Sequence, residues 1–172
     1  MDQLVNQIAK IRYMFGGKAT VPMVLRTQGG AGRSLGGQHS NSLEAWIIHC
    51  PGVKVVMPST PYDAKGLLVA AIRDEDPVVF IEHKSIYNAE GPCPEEAYTV
   101  PIGEAVVRRE GSDVTIVSFS RQAVHAQEAA EELAVDGIDC EVIDLRTLLP
   151  WDKDAVIRSV QKTNRLVVVE EG

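Results

Sequence analysis

Residues 21–41 read VPMVLRTQGGAGRSLGGQHSN, a short apolar run that leads directly into a glycine-dense loop containing His39. The apolar run predicts a buried strand, and the glycines allow the backbone to approach a ligand closely. Open α/β sheets bind ligands in loops at the carboxyl ends of their strands. Because a neutral imidazole can donate, accept or carry a proton near pH 7, we predict His39 as the catalytic residue.

On either side of this loop the sequence alternates between helical and strand-like patterns. Apolar residues at helical spacing predict helices over 2–13, after a cap at Ser42, and from Pro61, Arg121 and Asp152. Apolar runs predict strands at 53–57, 78–81, 105–107, 114–118, 140–143 and 166–169, the last of them buried. We expect Ile72 and Ala129 to face inward from their helices. This alternation favours an α/β fold with parallel sheets and helices on both faces.

Residues 82–99 interrupt the alternation with proline, glycine and acidic residues that show no clear periodicity. Such a composition is typical of a boundary, so we expect one domain over residues 1–98 and a second over residues 99–172. The sequence begins inside a helical pattern and stops directly after the strand at 166–169. We therefore expect both domains to be parts of larger ones.

The composition is that of an ordinary globular protein with excess negative charge. The 172 residues include 24 acidic and 17 basic side chains, which give a formal net charge of −7, and no basic run indicates nucleic-acid binding. No apolar run is long enough to cross a bilayer, and the first residues lack the pattern of a signal peptide. Three scattered cysteines do not form a disulfide framework. We expect a soluble, intracellular protein that binds neither nucleic acid nor membrane.

The glycine loop does not match the common nucleotide-binding fingerprints. The segment Gly30–Leu35 has leucine where a dinucleotide-binding loop needs its third glycine, and no lysine follows as in a P-loop. No Gly-x-Ser-x-Gly nucleophile elbow is present. His49, His83 and His125 lie on or beside predicted helices and strands, which indicates structural, hydrogen-bonded histidines. His39 remains the candidate.

A second polar segment, Asp74-Glu-Asp-Pro77, follows the helix that begins at Pro61. Carboxylates at a helix C-terminus oppose the helix dipole and are disfavoured unless a positive charge compensates them. Two interpretations remain open. The segment is a solvated turn before the next strand, or it holds a cation through terminal carbonyl oxygens and one or both aspartates, which are ligands that suit a hard ion.

Several segments spread over the whole chain resemble one protein family. They are residues 2–7, 10–17, 36–40, 49–56, 63–66, 71–78, 141–147 and 162–163. In their order and combination they resemble the β subunit of thiamine-diphosphate-dependent 2-oxoacid dehydrogenases, a family that includes the E1 components acting on pyruvate, branched-chain 2-oxoacids and acetoin. The resemblance implies that residues 1–98 are the later part of a pyrimidine-binding domain and residues 99–172 the first part of a transketolase C-terminal domain.

The resemblance assigns a role to His39 and leaves the cofactor site incomplete. It implies that His39 is the active-site histidine, which transfers protons and positions the intermediate or the arriving lipoyl group. The family's carboxylate that activates the aminopyrimidine lies upstream of the match, so no residue of this chain is assigned to cofactor binding. The implied cofactor is thiamine diphosphate, shared with an α subunit that holds the diphosphate and magnesium. Arg26 and Arg33 flank the loop and either meet an anionic substrate or remain solvated.

The resemblance also favours the cation interpretation of the segment at 74–77. Ala71, Ile72, Asp74 and Asp76 match the family's structural potassium loop, and Met23 lies near a further carbonyl ligand. Many relatives carry asparagine where this chain has Asp76, so the backbone ligands are expected to matter more than that side chain. The implied ion is a structural K⁺.

The implied function is that of an E1 β-type subunit or fragment. Such a subunit takes part in oxidative decarboxylation of a 2-oxoacid with acyl transfer to lipoate, and we do not expect activity without its α partner. The implied partners are the E1 α subunit, a second β subunit in a heterotetramer and the lipoyl-bearing E2 acyltransferase, in the cytoplasm or in the mitochondrial matrix of a eukaryote. Two alternatives remain open: a non-catalytic assembly module of the same family, and a fragment of an enzyme like transketolase or deoxyxylulose-phosphate synthase.

Overall fold

Two four-stranded sheets organise the chain, and the computed structural model describes all of residues 1–172. The strands are β1 (Val24–Gly29), β2 (Lys54–Val56), β3 (Val78–His83), β4 (Val106–Arg109), β5 (Val114–Ser118), β6 (Cys140–Asp144), β7 (Thr147–Leu149) and β8 (Leu166–Val168). The first sheet has the order β1-β3-β2-β7, and the second has the order β4-β6-β5-β8.

Helical segments connect these strands. The α-helices are α1 (Ala9–Met14), α2 (Glu44–Ile48), α3 (Pro61–Ile72), α4 (Ser120–Val135) and α5 (Lys153–Thr163). A π-helical segment (Gln3–Ile8) precedes α1, and 3-10 turns lie at Gly37–His39 and Lys84–Ile86. Thr60 and Asp152 cap α3 and α5 by accepting a hydrogen bond from a backbone N–H three residues later. None of the helices has the length and apolar character that crossing a membrane requires.

The sheets are mixed but mostly parallel, which confirms the predicted α/β class. β1 and β2 pair parallel to β3, and β6 and β8 pair parallel to β5. The expectation of wholly parallel sheets is wrong at two edges, because β7 pairs antiparallel to β2 and β4 pairs antiparallel to β6. An antiparallel edge strand on a parallel sheet is common, and the side-chain pattern of a strand does not reveal its direction.

β3 forms the centre of the first core, as its uninterrupted apolar sequence predicts. Val78, Val79 and Phe80 are fully buried, with successive side chains on opposite faces of the sheet. Phe80 belongs to the cluster that contains Leu67 of α3, and Val79 belongs to the cluster that contains Ile47 of α2. The strand is therefore covered on both faces.

Three predicted details of the helices are wrong. Ser42 does not cap α2, because the residue preceding the helix is Leu43 and no side chain caps it. Ile72 is 63 % exposed, since this last residue of α3 lies off the buried helix face that Leu67 and Ala71 form. Ala129 is exposed as well, because the inward face of α4 repeats at intervals of three and four residues through Ala123, Ala126 and Ala130.

β8 is exposed, although its apolar sequence predicts a buried strand. Leu166 and Val167 are each 47 % exposed and Val168 is 62 % exposed. The strand lies at the edge of the second sheet, where it pairs only with β5. An apolar run identifies a strand but does not tell whether another element covers it.

The second half of the chain contacts the first through β7 and through a buried ionic cluster. Arg108 on β4 donates from Nη2 to Asp144 Oδ2 at 2.8 Å and also to Asp63 of α3. Arg146 donates from Nη1 to Asp63 Oδ1 at 3.1 Å. Asp63 and Asp144 are fully buried. Two guanidinium groups therefore balance two carboxylates between the sheets.

Candidate functional site

The glycine loop leaves the first sheet where two parallel strands end together. Gly29 at the end of β1 is in register with His83 at the end of β3. The loop from Gly30 onwards therefore lies at the carboxyl edge of the sheet, which is where the sequence predicts a site. The 3-10 turn that carries His39 follows within this loop.

His39 lies on an exposed turn at the rim of a cavity of about 560 Å³. The imidazole makes no side-chain hydrogen bond within the chain, so both ring nitrogens remain available. The cavity combines apolar with polar side chains, among them Leu25, Gln28, Asn41, Ile81 and Lys84. Such a mixed wall suits a small organic ligand that carries polar groups.

Lys84 reaches the same turn from the end of β3. Its ammonium group donates a hydrogen bond to the backbone carbonyl of His39. Only 8 % of Lys84 is exposed, which is unusual for a lysine. No local sequence pattern distinguishes Lys84, because a lysine directly after a strand is ordinarily a surface residue.

His83 is a buried, hydrogen-bonded histidine, as its position beside a strand predicts. Its Nδ1 accepts a hydrogen bond from the N–H of Ser85 at 3.1 Å, so Nε2 carries the proton of the neutral ring. Nε2 lies 2.6 Å from Glu171 Oε2, and Glu171 Oε1 accepts from the N–H of Ala31 at 2.6 Å. Burial favours the neutral acid, yet these hydrogen bonds outweigh it and hold the pKa of Glu171 below its ordinary value.

The contact with His83 also explains why residue 30 is glycine. Gly30 has φ +88°, a conformation that other residues rarely adopt. A Cβ at this position would clash with the His83 ring at Nε2. The backbone therefore packs directly on the imidazole ring, and the first part of the loop is fixed by packing.

The two arginines that flank the loop differ in their surroundings. Arg26 forms a two-point ion pair with Glu82, from Nε to Oε2 at 2.8 Å and from Nη2 to Oε1 at 2.9 Å. It lines a separate cavity of about 260 Å³ and not the cavity beside His39. Arg33 is exposed and forms no ion pair within the chain. The structure thus does not bring Arg26 and His39 together in one cavity.

The acidic segment at 74–77 is an ion-paired loop. Lys54 Nζ lies 2.8 and 2.7 Å from the two carboxylate oxygens of Asp74 and 3.3 Å from Asp76 Oδ2. Arg12 Nη1 donates to Asp76 Oδ1 at 3.0 Å. Two cations from distant parts of the sequence therefore compensate the charges that oppose the helix dipole. The sequence does not indicate that Lys54 and Arg12 pair with these aspartates, because the pairing depends on how β2 and α1 pack.

The predicted potassium residues surround the same loop. The carbonyl oxygen of Met23 accepts the N–H of Val78 at 2.9 Å, and that of Ala71 accepts the N–H of Asp74 at 3.3 Å. Each carbonyl oxygen keeps a second lone pair. Ile72 follows Ala71 directly and Asp76 lies within the acidic segment, and no group of three or more His, Cys, Asp or Glu side chains is arranged to hold a metal ion.

Two mixed, mostly parallel sheets with a glycine loop at the carboxyl ends of β1 and β3 define an α/β protein with a candidate ligand site at one sheet edge. Residues 1–90 match the family of the transketolase pyrimidine binding domain, and residues 103–172 match the transketolase C-terminal domain. The chain belongs to the transketolase pyrimidine-binding family and continues into its C-terminal domain. The family resemblance predicted from the sequence is confirmed.

Similar curated proteins are β subunits of an acetoin oxidoreductase and of the pyruvate dehydrogenase E1 component. The β subunit of acetoin:2,6-dichlorophenolindophenol oxidoreductase from Cupriavidus necator is 56 % identical over 171 residues, which cover 99 % of this chain and 51 % of that protein. Pyruvate dehydrogenase E1 component subunit beta from Bacillus subtilis is 48 % identical over 173 residues, which cover 100 % of this chain and 53 % of that protein. The mitochondrial pyruvate dehydrogenase E1 subunit beta-1 from Arabidopsis thaliana is 48 % identical, with 100 % and 48 % covered. The chain spans about half the length of these relatives.

Solved structures with low sequence identity share the fold. A split-gene transketolase, described as an inactive β4 tetramer, matches with a TM-score of 0.73 at 23 % identity over 99 % of this chain and 54 % of that chain. A transketolase mutant from Pichia stipitis matches with a TM-score of 0.65 at 16 % identity over 95 % and 26 %. These likenesses support the fold class alone.

Proposed function

We propose that this chain is part of a β-type subunit of a thiamine-diphosphate-dependent 2-oxoacid dehydrogenase E1. In this proposal it works with an α subunit in oxidative decarboxylation of a 2-oxoacid and transfer of the acyl group to lipoate. One observation carries the proposal: the exposed imidazole of His39 stands at the rim of a cavity at the carboxyl ends of β1 and β3. The proposal is supported by sequence identities of 56 % with the acetoin oxidoreductase β subunit and 48 % with the pyruvate dehydrogenase E1 β subunit.

The residues beside His39 fit one side of a thiamine site. Leu25 and Ile81 offer an apolar wall for an aromatic ring, and Gln28 and Asn41 offer polar groups at its edge. Bound thiamine diphosphate would supply the carbanion chemistry. We assign no diphosphate or magnesium ligand to this chain and propose that the α subunit provides them.

The proposed role of His39 is to hold and move a proton. Its ring nitrogens form no internal hydrogen bond, so they are free to meet a reacting group or an arriving lipoyl arm. The buried carboxylate of Glu44 is not given a part in this step. Burial raises the pKa of Glu44, and it lines a different cavity, near Gly30 and Phe119.

The test uses the β chain assembled with its α subunit. His39→Ala is expected to lower kcat by about 10²- to 10⁴-fold, the range for loss of a general acid or base, while folding is retained because the side chain is exposed. His125→Ala removes another exposed histidine, on α4, and is expected to leave kcat unchanged. Full activity of His39→Ala would remove this residue from the mechanism. If the unmutated chain assembles with the α subunit but the complex shows no turnover, the result would favour a non-catalytic assembly module.

We also propose a K⁺ site formed by backbone carbonyl oxygens of Met23, Ala71, Ile72, Asp74 and Asp76. The second lone pairs of the Met23 and Ala71 carbonyls support it. The carboxylate groups of both aspartates are already paired with Lys54 and Arg12, so we give them no direct contact with the ion.

The proposed partners are the E1 α subunit, a second β subunit and a lipoyl-bearing E2 acyltransferase. We propose a cytoplasmic assembly, or a mitochondrial one in a eukaryote, which the printed location of the Arabidopsis relative supports. We further propose a domain boundary between residues 98 and 99. Residues 87–105 contain neither helix nor strand, and the two family matches end at 90 and begin at 103, which supports this boundary.

A further inference from the structure

We propose that Lys84 is a positioning residue for His39. Its ammonium group fixes the backbone of the turn that carries the imidazole, and it acts on turnover more than on stability. The effect on turnover rests on the proposed role of His39, whereas the fixing of the turn does not. The proposal stands on three observations: the burial of Lys84, the absence of a carboxylate partner, and the weak internal bonding of the turn.

Lys84 is buried without charge compensation. It is 8 % exposed, and no Asp or Glu oxygen lies within 4.0 Å of its Nζ. Other cations withdrawn from solvent in this chain are paired, as Arg108 is with Asp144 and Lys54 is with Asp74. Because burying an unpaired ammonium group is unfavourable, fold stability does not explain the presence of Lys84.

The acceptor of Lys84 is the backbone carbonyl of the candidate catalytic residue. The bond joins the first residue after β3, a central strand of the first sheet, to the last residue of the 3-10 turn Gly37–His39. Lys84 also lines the cavity beside His39. A rigid strand end is therefore coupled to the segment that sets the direction of the imidazole.

The turn has little else to hold it. Its backbone hydrogen bonds are long, 3.3 Å from His39 N to Gly36 O and 3.4 Å from Ser40 N to Gly37 O. The best internal bond runs from Ser40 Oγ to Gly36 O at 2.8 Å. A Cβ placed on Gly36 or Gly37 would meet no atom within 4 Å, so packing does not restrict these residues as it restricts Gly30. A charge-assisted bond from Lys84 is thus the main external restraint on the turn.

The decisive variant is Lys84→Met, which keeps the length and apolar stem of the side chain and removes its donors and charge. Lys84→Arg keeps both donors and charge. Lys65→Met is the matched control, because Lys65 Nζ also donates to backbone carbonyl oxygens, those of Glu95 and Glu96 at 3.1 Å, on a loop away from the cavity.

In the assembled α/β enzyme we expect Lys84→Met to lower kcat about tenfold or more, as for loss of a hydrogen bond from a charged donor, with KM changed less than about twofold. Its Tm is expected to be unchanged or higher, because a buried charge is removed. Lys84→Arg is expected to recover most of kcat, and Lys65→Met to leave it unchanged. A raised KM with unchanged kcat would overturn positioning in favour of direct recognition of an anion. A large fall in Tm would overturn it in favour of a structural role.

Amide hydrogen exchange on the chain alone tests the fixing of the turn independently of activity. We expect residues 36–40 to exchange about tenfold faster in Lys84→Met than in the parent chain, with Lys65→Met unchanged there. Unchanged exchange over these residues would overturn the proposal. Faster exchange combined with full activity of both Lys84→Met and His39→Ala would instead overturn the proposed function and leave only the structural link.

Discussion

Nε2 of His83 lies 2.6 Å from Oε2 of Glu171, and this contact joins the end of β3 to residues that follow β8. The other carboxylate oxygen of Glu171 accepts the N–H of Ala31 in the glycine loop. One carboxylate therefore connects the second half of the chain to the loop that carries His39. The loop is held at its start by this contact and at its end by Lys84.

Glu171→Gln is expected to destabilise the fold by about 1–2 kcal/mol at pH 7, because it removes the charge from two hydrogen bonds. The pKa of Glu171 is lowered in the folded chain: burial opposes this, and the bonds from Ala31 and His83 outweigh it. Its contribution is therefore fully present above the pKa of an ordinary glutamate in the unfolded chain and is lost as the pH falls through the lower pKa of the folded chain. Urea unfolding across this range should show the parent and the variant converging in acid. The exposed neighbour Glu170→Gln serves as control, and a constant difference at all pH values would contradict the assignment.

Gly30→Ala and Gly36→Ala separate backbone strain from packing. Both positions have positive φ, +88° and +80°. In both variants the free energy of unfolding is expected to fall by about 1 kcal/mol, because alanine is strained in the left-handed region. Gly30→Ala should lose about 1–3 kcal/mol more, because its Cβ meets the His83 ring, whereas the position at Gly36 is open. Thermal and urea unfolding measure both values. Equal losses would show that His83 moves aside freely.

Arg108→Met is expected to destabilise the fold by about 3–5 kcal/mol, since it leaves the buried carboxylate of Asp144 without its cationic partner, while Asp63 keeps Arg146. Burial raises the pKa of Asp144 although Arg108 opposes it, so without Arg108 this carboxyl should take up a proton more readily. The loss should therefore shrink as the pH falls. Arg109→Met on the same strand breaks an ion pair with the half-exposed Asp139 and should cost much less, because solvent screens this pair. Similar losses from the two variants would indicate that the buried cluster contributes little.

The proposed K⁺ site predicts a salt-specific stability. In KCl at about one hundred times the dissociation constant, binding to the folded chain adds about 2.7 kcal/mol, which corresponds to several degrees in Tm for a chain of this size. Choline chloride at equal ionic strength controls for screening of the Lys54–Asp74 pair. Identical melting curves in the two salts would argue against bound K⁺.

Local sequence patterns predicted most secondary-structure elements. The predictions were correct where a feature depends on neighbouring residues and failed where it depends on distant ones. The strand at 114–118 has the predicted limits, and Asp152 caps α5 with its own side chain. Both features depend on neighbouring residues alone. β8 was wrongly expected to be buried, and no strand was predicted at the position of β7. Whether a strand lies at an edge and which partner it finds depend on distant residues.

The candidate site could likewise be predicted only where it depends on residues that are adjacent in sequence. His39 is distinguished by its own loop, where glycines and an isolated imidazole stand close together in sequence. Lys84 and Glu171 have no such local signal, because they are 45 and 88 residues from His39 and His83, their respective partners. Lys54 is likewise recognised as the partner of Asp74 only when β2 pairs with β3.

By itself, the sequence determined the alternation of helices and strands, the family resemblance and the candidate histidine, since these depend on periodicity and on residues adjacent in the chain. The tertiary structure alone decided how that histidine is held. A buried lysine fixes the end of the glycine loop, and a carboxylate from the second half fixes its beginning. Hydrogen bonds of this kind form only when packing brings distant residues together and excludes the water that would otherwise compete for them.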